Sequence, residues 1–118
     1  MDTLGLPSGE HIDGRLKLQL DELVSSMCKA LNDPKRLMLI YALSERSRSV
    51  GELCDLLGIP QSNISQHLAL LRDRGLVVAE RQGNNVIYSL RYPELVEAID
   101  LLRTIMAAEV ERQRSIHS

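Results

Sequence analysis

A helix of unusual composition is predicted between Pro60 and Gly75. Its apolar residues Ile64, Leu68 and Leu71 recur at the i, i+4, i+7 spacing of a single helix face. The other positions of its first two turns are uncharged polar residues and one histidine: Gln61, Ser62, Asn63, Ser65, Gln66 and His67. Side chains of these types form hydrogen bonds with base edges in the major groove of DNA. We therefore expect one face of this helix to be buried and the opposite face to contact duplex DNA.

A second, shorter helix is predicted directly before this one. Ser49 and Glu52 have the S-x-x-E spacing of a capping box, which favours a helix start. Gly58 is expected to end that helix, and Pro60 lies near the first position of the next. Two helices joined by a short turn that contains glycine form a helix-turn-helix motif.

Two more helices are predicted upstream. The first covers about residues 15–32 and carries a broad apolar face. Asp33 is a favourable N-cap and Pro34 a favourable first residue for a second helix, which runs to about Ser44. Because that second helix is apolar on nearly all sides, we expect it to be the central buried helix.

The pattern changes after Gly75. Residues 76–81 and 86–90 are rich in residues that favour strands, and Gln82, Gly83, Asn84 and Asn85 separate them, so a β-hairpin is predicted. A last helix begins at about Pro93. It carries more apolar residues than one face against a small core requires, and we expect the excess to meet a second chain.

The length of 118 residues fits a single domain. The predicted elements define a mainly α domain with a small β-hairpin over residues 15–112. We expect a flexible N-terminal tail at 1–14 and a C-terminal tail at 113–118.

The formal net charge is −2, which is unusual for a DNA-binding protein, but the charges are unevenly distributed. Residues 60–91 contain four arginines and two acidic residues, whereas the segments on either side are net negative. A positive region on an acidic chain indicates binding that depends on geometry and on salt concentration.

Several functional classes are disfavoured. No apolar stretch is long enough for a membrane span and no signal peptide is recognisable, so the expected location is the cytoplasm. Three tyrosines are the only aromatic residues, which argues against stacking on single-stranded nucleic acid. No pattern typical of an enzyme active site is present.

Five ordered motifs lie at Ala30–Leu37, Glu52–Leu57, Gln61–Leu68, Leu71–Val77 and Val86–Tyr88. Together, over roughly residues 20–105, they resemble the ArsR/SmtB family of bacterial dimeric repressors. The resemblance implies a winged helix-turn-helix whose fourth helix enters the major groove and whose hairpin is a wing against the DNA. It further implies a homodimer formed by the first and last helices, and a repressor that an inducer, often a metal ion, releases from its operator.

Basic residues outside the front of the helix are secondary candidates for phosphate contacts. Arg81 lies on the predicted wing. Arg72 and Arg74 either contact phosphate or compensate the helix C-terminus. Lys35 and Arg36, at the start of the second helix, are further candidates. His67, on the shoulder of the apolar face, is equally compatible with a role at the edge of the core.

Inducer binding is the open question. Cys54 stands where metal-sensing relatives have the first cysteine of an E-L-C-x-C-D box, but Leu56 occupies the second cysteine position, so no metal site of that kind is expected. Cys28 and Cys54 have three interpretations: small apolar core residues, a thiol switch through a disulfide or persulfide, or ligands of a thiophilic metalloid such as As(III).

The sequence thus predicts a homodimeric repressor that binds an imperfect palindrome in double-stranded DNA. One alternative is a repressor without a small-molecule input. Another is a winged-helix protein–protein interaction module that has lost DNA binding.

Overall fold

The computed structural model describes residues 12–117 of the chain. Within them, the chain combines five α-helices with a small antiparallel sheet, which confirms the predicted fold class. The elements in chain order are α1 (Gly14–Glu22), a π segment (Leu23–Cys28), α2 (Pro34–Glu45), β1 (Arg48–Ser49), α3 (Val50–Leu57), α4 (Gln61–Asp73), β2 (Val77–Gln82), β3 (Asn85–Leu90) and α5 (Glu94–His117).

The first helix differs from the uninterrupted α-helix that the sequence predicts. Its start is capped by Asp13, whose carboxylate accepts a hydrogen bond from the backbone N–H of Leu16 at 3.1 Å. After Glu22 the backbone widens into the π segment, and α-helical residues 29–30 follow. The spacing of apolar residues carries no signal for such a widening. Of the predicted tail 1–14, only residues 12–14 lie within the described part of the chain, and Gly14 is already helical.

The buried centre of the molecule is α2, as predicted. Asp33 caps this helix by accepting a hydrogen bond from the backbone N–H of Lys35 at 2.7 Å, and Pro34 is its first residue. The core combines apolar residues of α2 with those of α3, α4, α5 and the start of β2. The buried apolar residues are Ala30, Leu39, Ile40, Ala42, Leu43, Leu53, Ile59, Ile64, Leu68, Leu71, Leu76, Val77, Leu95 and Ile99.

The helix-turn-helix is formed by α3 and α4. Both hydrogen bonds of the capping box are present between Ser49 and Glu52. Gly58 ends α3 in the left-handed region with φ 66°, a conformation that a residue with a Cβ adopts only with strain. Pro60 is the N-cap of α4 rather than its first residue, because its ψ of 149° is extended.

The predicted hairpin consists of β2 and β3, with Gln82 paired to Asn85 at its tip. Gly83 has φ 64°, whereas Asn84 has no positive φ, so the two-residue turn has the sign pattern of type II′. A short third strand, β1, pairs with β3 and was not predicted. Two residues are too few to show an alternating pattern.

The last helix extends further than expected, since α5 continues through His117 and includes most of the predicted tail 113–118. Ion pairs one turn apart support this end: Arg112 with Glu109 and Arg114 with Glu111. None of the helices over residues 12–117 combines the length and apolar character that a bilayer crossing requires.

Candidate nucleic-acid interface

The orientation of α4 is fixed by a completely buried apolar face. Ile64, Leu68 and Leu71 are each 0% exposed and lie in the core that α2, α3 and β2 share with α4. Three large side chains buried along one face prevent the helix from rotating about its axis. The opposite face of α4 is therefore held towards solvent.

The candidate DNA-reading residues separate into two groups. Gln61, Ser62, Ser65 and Gln66 are exposed, and we call these four residues the reading face. Asn63 and His67 are half-buried on one flank of the helix. At 100° per residue, Ser62 and Gln66 lie opposite the buried face, whereas Asn63 and His67 lie beside it. The reading face presents hydroxyl and amide groups without an adjacent charged residue of its own.

His67 faces the start of α2 rather than open solvent. Its Nδ1 lies 3.2 Å from Nη1 of Arg36. Because a guanidinium only donates, Nδ1 of His67 is the acceptor when this contact is a hydrogen bond. The alternative that places His67 at the edge of the core describes its surroundings better than base contact does, although its partner is a side chain rather than a carbonyl.

The two arginines at the end of α4 have different environments. Arg72 is exposed in the last turn. Arg74 has only 23% of its side chain exposed, and its Nη1 donates to the backbone carbonyls of Ser25 at 3.3 Å and Ser26 at 3.1 Å. Arg72 thus remains available for a phosphate. Arg74 binds carbonyls of the π segment, an interaction that neither sequence-based interpretation included.

Lys35 and Arg36, at the start of α2, also differ in exposure and in hydrogen bonding. Lys35 is exposed. Arg36 donates from Nε to the carbonyl of Ala30 at 2.6 Å and from Nη2 to the carbonyl of Lys29 at 3.2 Å. The backbone N–H of Lys35 is the main cause that holds the pKa of Asp33 below its ordinary value, with smaller contributions from His67 and Arg36. Arg36 is therefore already engaged within the chain, which disfavours a phosphate contact.

The wing is the β2–β3 hairpin. The whole stretch from Glu80 to Asn85, including Arg81, is exposed, and Gln82 donates to the carboxylate of Glu80 at 3.2 Å. Arg81 is paired in register with Val86, one position before the tip pair. An exposed arginine near the tip of a hairpin is a residue of the type that contacts phosphate groups.

A structural residue that the sequence did not reveal supports this wing. Arg48 on β1 is only 8% exposed; its Nε donates to the carbonyl of Ala42 at 3.0 Å and its Nη2 to the carboxylate of Glu45 at 2.7 Å. Since β1 pairs with β3, Arg48 ties the sheet to the end of α2. Within Arg46-Ser47-Arg48 the residue has the appearance of an ordinary surface charge.

A large apolar surface lies outside the core of the single chain. We call five exposed residues of α5 the apolar strip: Leu101, Leu102, Ile105, Met106 and Val110. Leu18, Leu20, Leu23 and Val24 of the first helix are also exposed. A hydrogen bond connects α5 to α2: the hydroxyl of Tyr41 on α2 donates to the carboxylate of Asp100 on α5. Within α5, Nη1 of Arg103 donates to the same carboxylate at 3.2 Å.

The two cysteines are free thiols. Cys54 is half-buried and packs against the core, as expected for a small apolar residue. Cys28 is exposed, so its predicted place in the core is wrong for the single chain. The reason is that no residue in the described part of the chain covers the face of the first helix that carries Cys28. Over the described residues, no group of three or more His, Cys, Asp or Glu side chains is placed to hold a metal ion.

Comparison with known proteins shows similarity to bacterial transcription regulators. Residues 33–78 match the family model described as "Bacterial regulatory protein, arsR family". The HTH-type transcriptional regulator Rv0081 of Mycobacterium tuberculosis is 40% identical over 89 residues, which cover 75% of this chain and 78% of that protein. A biofilm growth-associated repressor of Xylella fastidiosa is 37% identical over 86 residues, covering 73% of this chain and 75% of that protein.

Solved structures show the same fold. The crystal structure of Rv0081 superposes with a TM-score of 0.68 at 35% identity, covering 86% of this chain and 97% of that chain. A homodimeric winged helix-turn-helix DNA-binding domain from Mycobacterium bovis superposes with a TM-score of 0.70 at 24% identity, covering 90% of this chain and 95% of that chain.

Proposed function

Because the chain belongs to the arsR family of bacterial regulatory proteins, a family of winged helix-turn-helix transcription regulators, we propose that it represses transcription by binding an operator in duplex DNA as a homodimer. It acts as a binding protein rather than an enzyme, in the cytoplasm where bacterial DNA lies. The observation that carries the proposal is the construction of α4. Its apolar face is fully buried, and the rest of its first two turns exposes Gln61, Ser62, Ser65 and Gln66, with Ser62 and Gln66 opposite the buried face.

Each DNA contact is proposed from a position in the fold. Gln66 and Gln61 provide amide groups that pair with adenine edges, and Ser62 and Ser65 provide hydroxyl groups for bases or phosphates. Arg72 and Arg81 provide charge for phosphates on either side of the groove that α4 enters. Asn63 and His67, on the flank of α4, are secondary candidates.

The homodimer is proposed from the exposed apolar side chains. The apolar strip and the exposed leucines of the first helix together form a surface of the kind that soluble chains cover with a partner. A two-fold axis between two such chains makes the interface self-complementary. It also places the two α4 helices in successive major grooves, about 34 Å apart, so the operator is expected to be an imperfect palindrome.

Selection from a random duplex DNA library tests this proposal. The full-length protein is expected to enrich an inverted repeat whose half-site centres lie about 10 base pairs apart. Enrichment of single half-sites only would contradict the proposed dimer geometry. Absence of any enriched motif would contradict sequence-specific binding and would favour the protein–protein interaction module.

For release from the operator, we propose that the thiols of Cys28 and Cys54 respond to an oxidant, a persulfide or a thiophilic metalloid. The support is that Cys28 is exposed to reagents and lies at the end of the π segment, two residues beyond a carbonyl that Arg74 of α4 binds. The alternative repressor without a small-molecule input has the same DNA contacts and lacks only this response.

A titration of the operator complex separates these two alternatives. Diamide, a persulfide donor, As(III) and Zn(II) are each added to the wild type and to the Cys28→Ser and Cys54→Ser variants. Release of the wild type and retention of either serine variant would support thiol sensing. Retention of the wild type under all four treatments would contradict it and would favour the repressor without an input.

A further inference from the structure

The end of the first helix presents backbone carbonyls that accept hydrogen bonds from elsewhere in the chain, and two of them, those of Ser26 and Lys29, also accept a backbone N–H nearby. A helix leaves its last four carbonyls without helical donors. A π segment adds to this need, because one carbonyl is passed over where i→i+5 bonding returns to i→i+4 bonding. That return has occurred by Leu31, whose N–H donates to the carbonyl of Met27 at 3.1 Å.

Two arginines bind carbonyls in this region, and neither belongs to the first helix. Arg36 of α2 donates to the carbonyls of Lys29 and Ala30, and Arg74 at the end of α4 donates to those of Ser25 and Ser26. We call these four acceptors the carbonyl cluster. Only 14% of the Arg36 side chain and 23% of the Arg74 side chain are exposed. Charge-assisted hydrogen bonds of this kind are stronger than neutral ones.

Both arginines also connect the carbonyl cluster to α4. Arg74 is the C-cap residue of α4, and Arg36 reaches the helix through its contact with His67. His67 and Arg74 are seven residues apart, which is two turns, so the two contacts lie on the same flank of the helix. They are separated by about 10 Å along its axis. Two attachment points at this separation fix the direction of a helix as well as its position.

From this geometry we propose that Arg36 and Arg74 are positioning residues for DNA recognition, and that they hold α4 and the π segment together as one unit. The proposal rests on the proposed function, because it explains how the reading face keeps its direction relative to the dimer. In a two-fold dimer, the first helix sets the position of each half relative to the axis. A tilt of α4 against that helix would displace both reading faces from their half-sites at once.

This role differs from that of a phosphate contact in a measurable way. A residue that neutralises a phosphate releases a counterion, and its removal makes the salt dependence of binding less steep. A residue that only orients α4 leaves the number of phosphate contacts unchanged. Arg72 is a matched control, because it is an exposed arginine two residues before Arg74.

The test compares Arg74→Ala, Arg74→Lys and Arg72→Ala in the full-length dimer, using an operator obtained by selection. Arg74→Ala is expected to weaken operator binding roughly 10-fold, with the salt slope of the wild type. Arg74→Lys is expected to bind more weakly than the wild type despite its retained charge, because an ammonium lacks the planar guanidinium fork. Arg72→Ala is expected to give a shallower salt slope.

Hydrogen exchange on the DNA-free protein provides an independent readout. Arg74→Ala is expected to accelerate exchange in residues 23–31 and in the last turn of α4, whereas Arg72→Ala leaves the π segment unchanged. If the wild type selects no operator, the proposed function fails and the role in DNA recognition fails with it, and exchange then decides whether Arg74 holds α4 and the π segment together as one unit. A shallower salt slope in Arg74→Ala, full affinity in Arg74→Lys, or exchange identical to that of Arg72→Ala would overturn it.

Discussion

The helices α4 and α5 both carry apolar residues at helical spacing, but these residues are buried in α4 and largely exposed in α5. In α4 the three apolar residues at helical spacing are fully buried, and the exposed face is built from amides and hydroxyls. Among the residues of α5 whose burial is described, Leu95 and Ile99 are buried, and the helix beyond them exposes its apolar strip. The apolar face of α4 is therefore covered within a single chain, whereas α5 leaves apolar surface that residues 12–117 of the same chain do not cover.

This difference indicates what each helix is built to contact. A polar face held rigidly by a buried back suits a polar ligand such as the edges of DNA bases. A long apolar strip that is exposed to water suits a second protein surface. Substitutions in α4, in α5 and in the wing test this contrast.

The largest expected effect comes from placing charge in the apolar strip. Leu102→Glu combined with Ile105→Glu would bury four carboxylates in the dimer and is expected to raise its dissociation constant by roughly 100-fold or more. Thr104→Glu with Ala107→Glu adds the same charge to α5 outside the strip and should leave the dimer intact. Sedimentation velocity measures both, and dimerisation of the first variant like the wild type would remove the basis for the interface.

A truncation in the back of α4 is expected to have the next largest effect. Leu68→Ala should lower the free energy of unfolding by about 2–5 kcal/mol at every protein concentration, because its cavity lies inside one chain. Leu102→Ala is the matched truncation on α5, and its effect should shrink as dilution dissociates the dimer. Urea unfolding at two protein concentrations measures both variants. A concentration-independent effect of Leu102→Ala would contradict the contrast between the helices.

Removing the positive charge of Arg81 on the wing is expected to have a smaller effect on DNA affinity, and this effect should not depend on the DNA sequence. Arg81→Ala should weaken binding to specific and random duplexes by the same factor and reduce the salt slope by about one per protomer. Arg114→Ala, on α5, is the matched control. Fluorescence anisotropy over a range of salt concentrations measures the slopes. A loss confined to the specific duplex would instead place Arg81 among the base-reading residues.

The smallest effect concerns the exposed end of α5. Hydrogen bonds from Arg112, and then from Gln113, hold the pKa of Glu109 below its ordinary value. A carboxylate with a lowered pKa stabilises the folded state above its unfolded pKa, and this contribution disappears as pH falls through the lowered value. Backbone chemical shifts of residues 109–114 should therefore move towards coil values below about pH 4, whereas those of α4 should not. Glu109→Gln is expected to show the coil-like shifts already at neutral pH.

Much of the fold was predictable because its determinants are local. The capping box of Ser49 and Glu52, the cap formed by Asp33 and Pro34, and the apolar face of α4 all act within a few residues. The hairpin was predictable for the same reason, since Gly83 lies between two segments of strand-forming residues. The reading face followed from residue type together with the position of the buried face.

The parts that could not be predicted depend on contacts between distant backbone groups. Arg74 binds carbonyls 48 and 49 residues away, and no residue type marks a carbonyl as available. Arg48, which ties the sheet to α2, carries no signal for the same reason. Cys28 was misplaced because an apolar pattern shows that a face is to be covered, without showing whether the same chain covers it.

The central claim is that the polar face of α4 selects DNA sequence, and a double substitution tests it most directly. Ser62→Ala with Gln66→Ala removes two exposed side chains and leaves the buried face intact. The affinity for the selected operator is expected to fall by roughly 100-fold, while the affinity for random duplex, the salt slope and the unfolding midpoint stay close to those of the wild type. Unchanged operator affinity in this folded variant would contradict the assignment of α4 as the recognition helix.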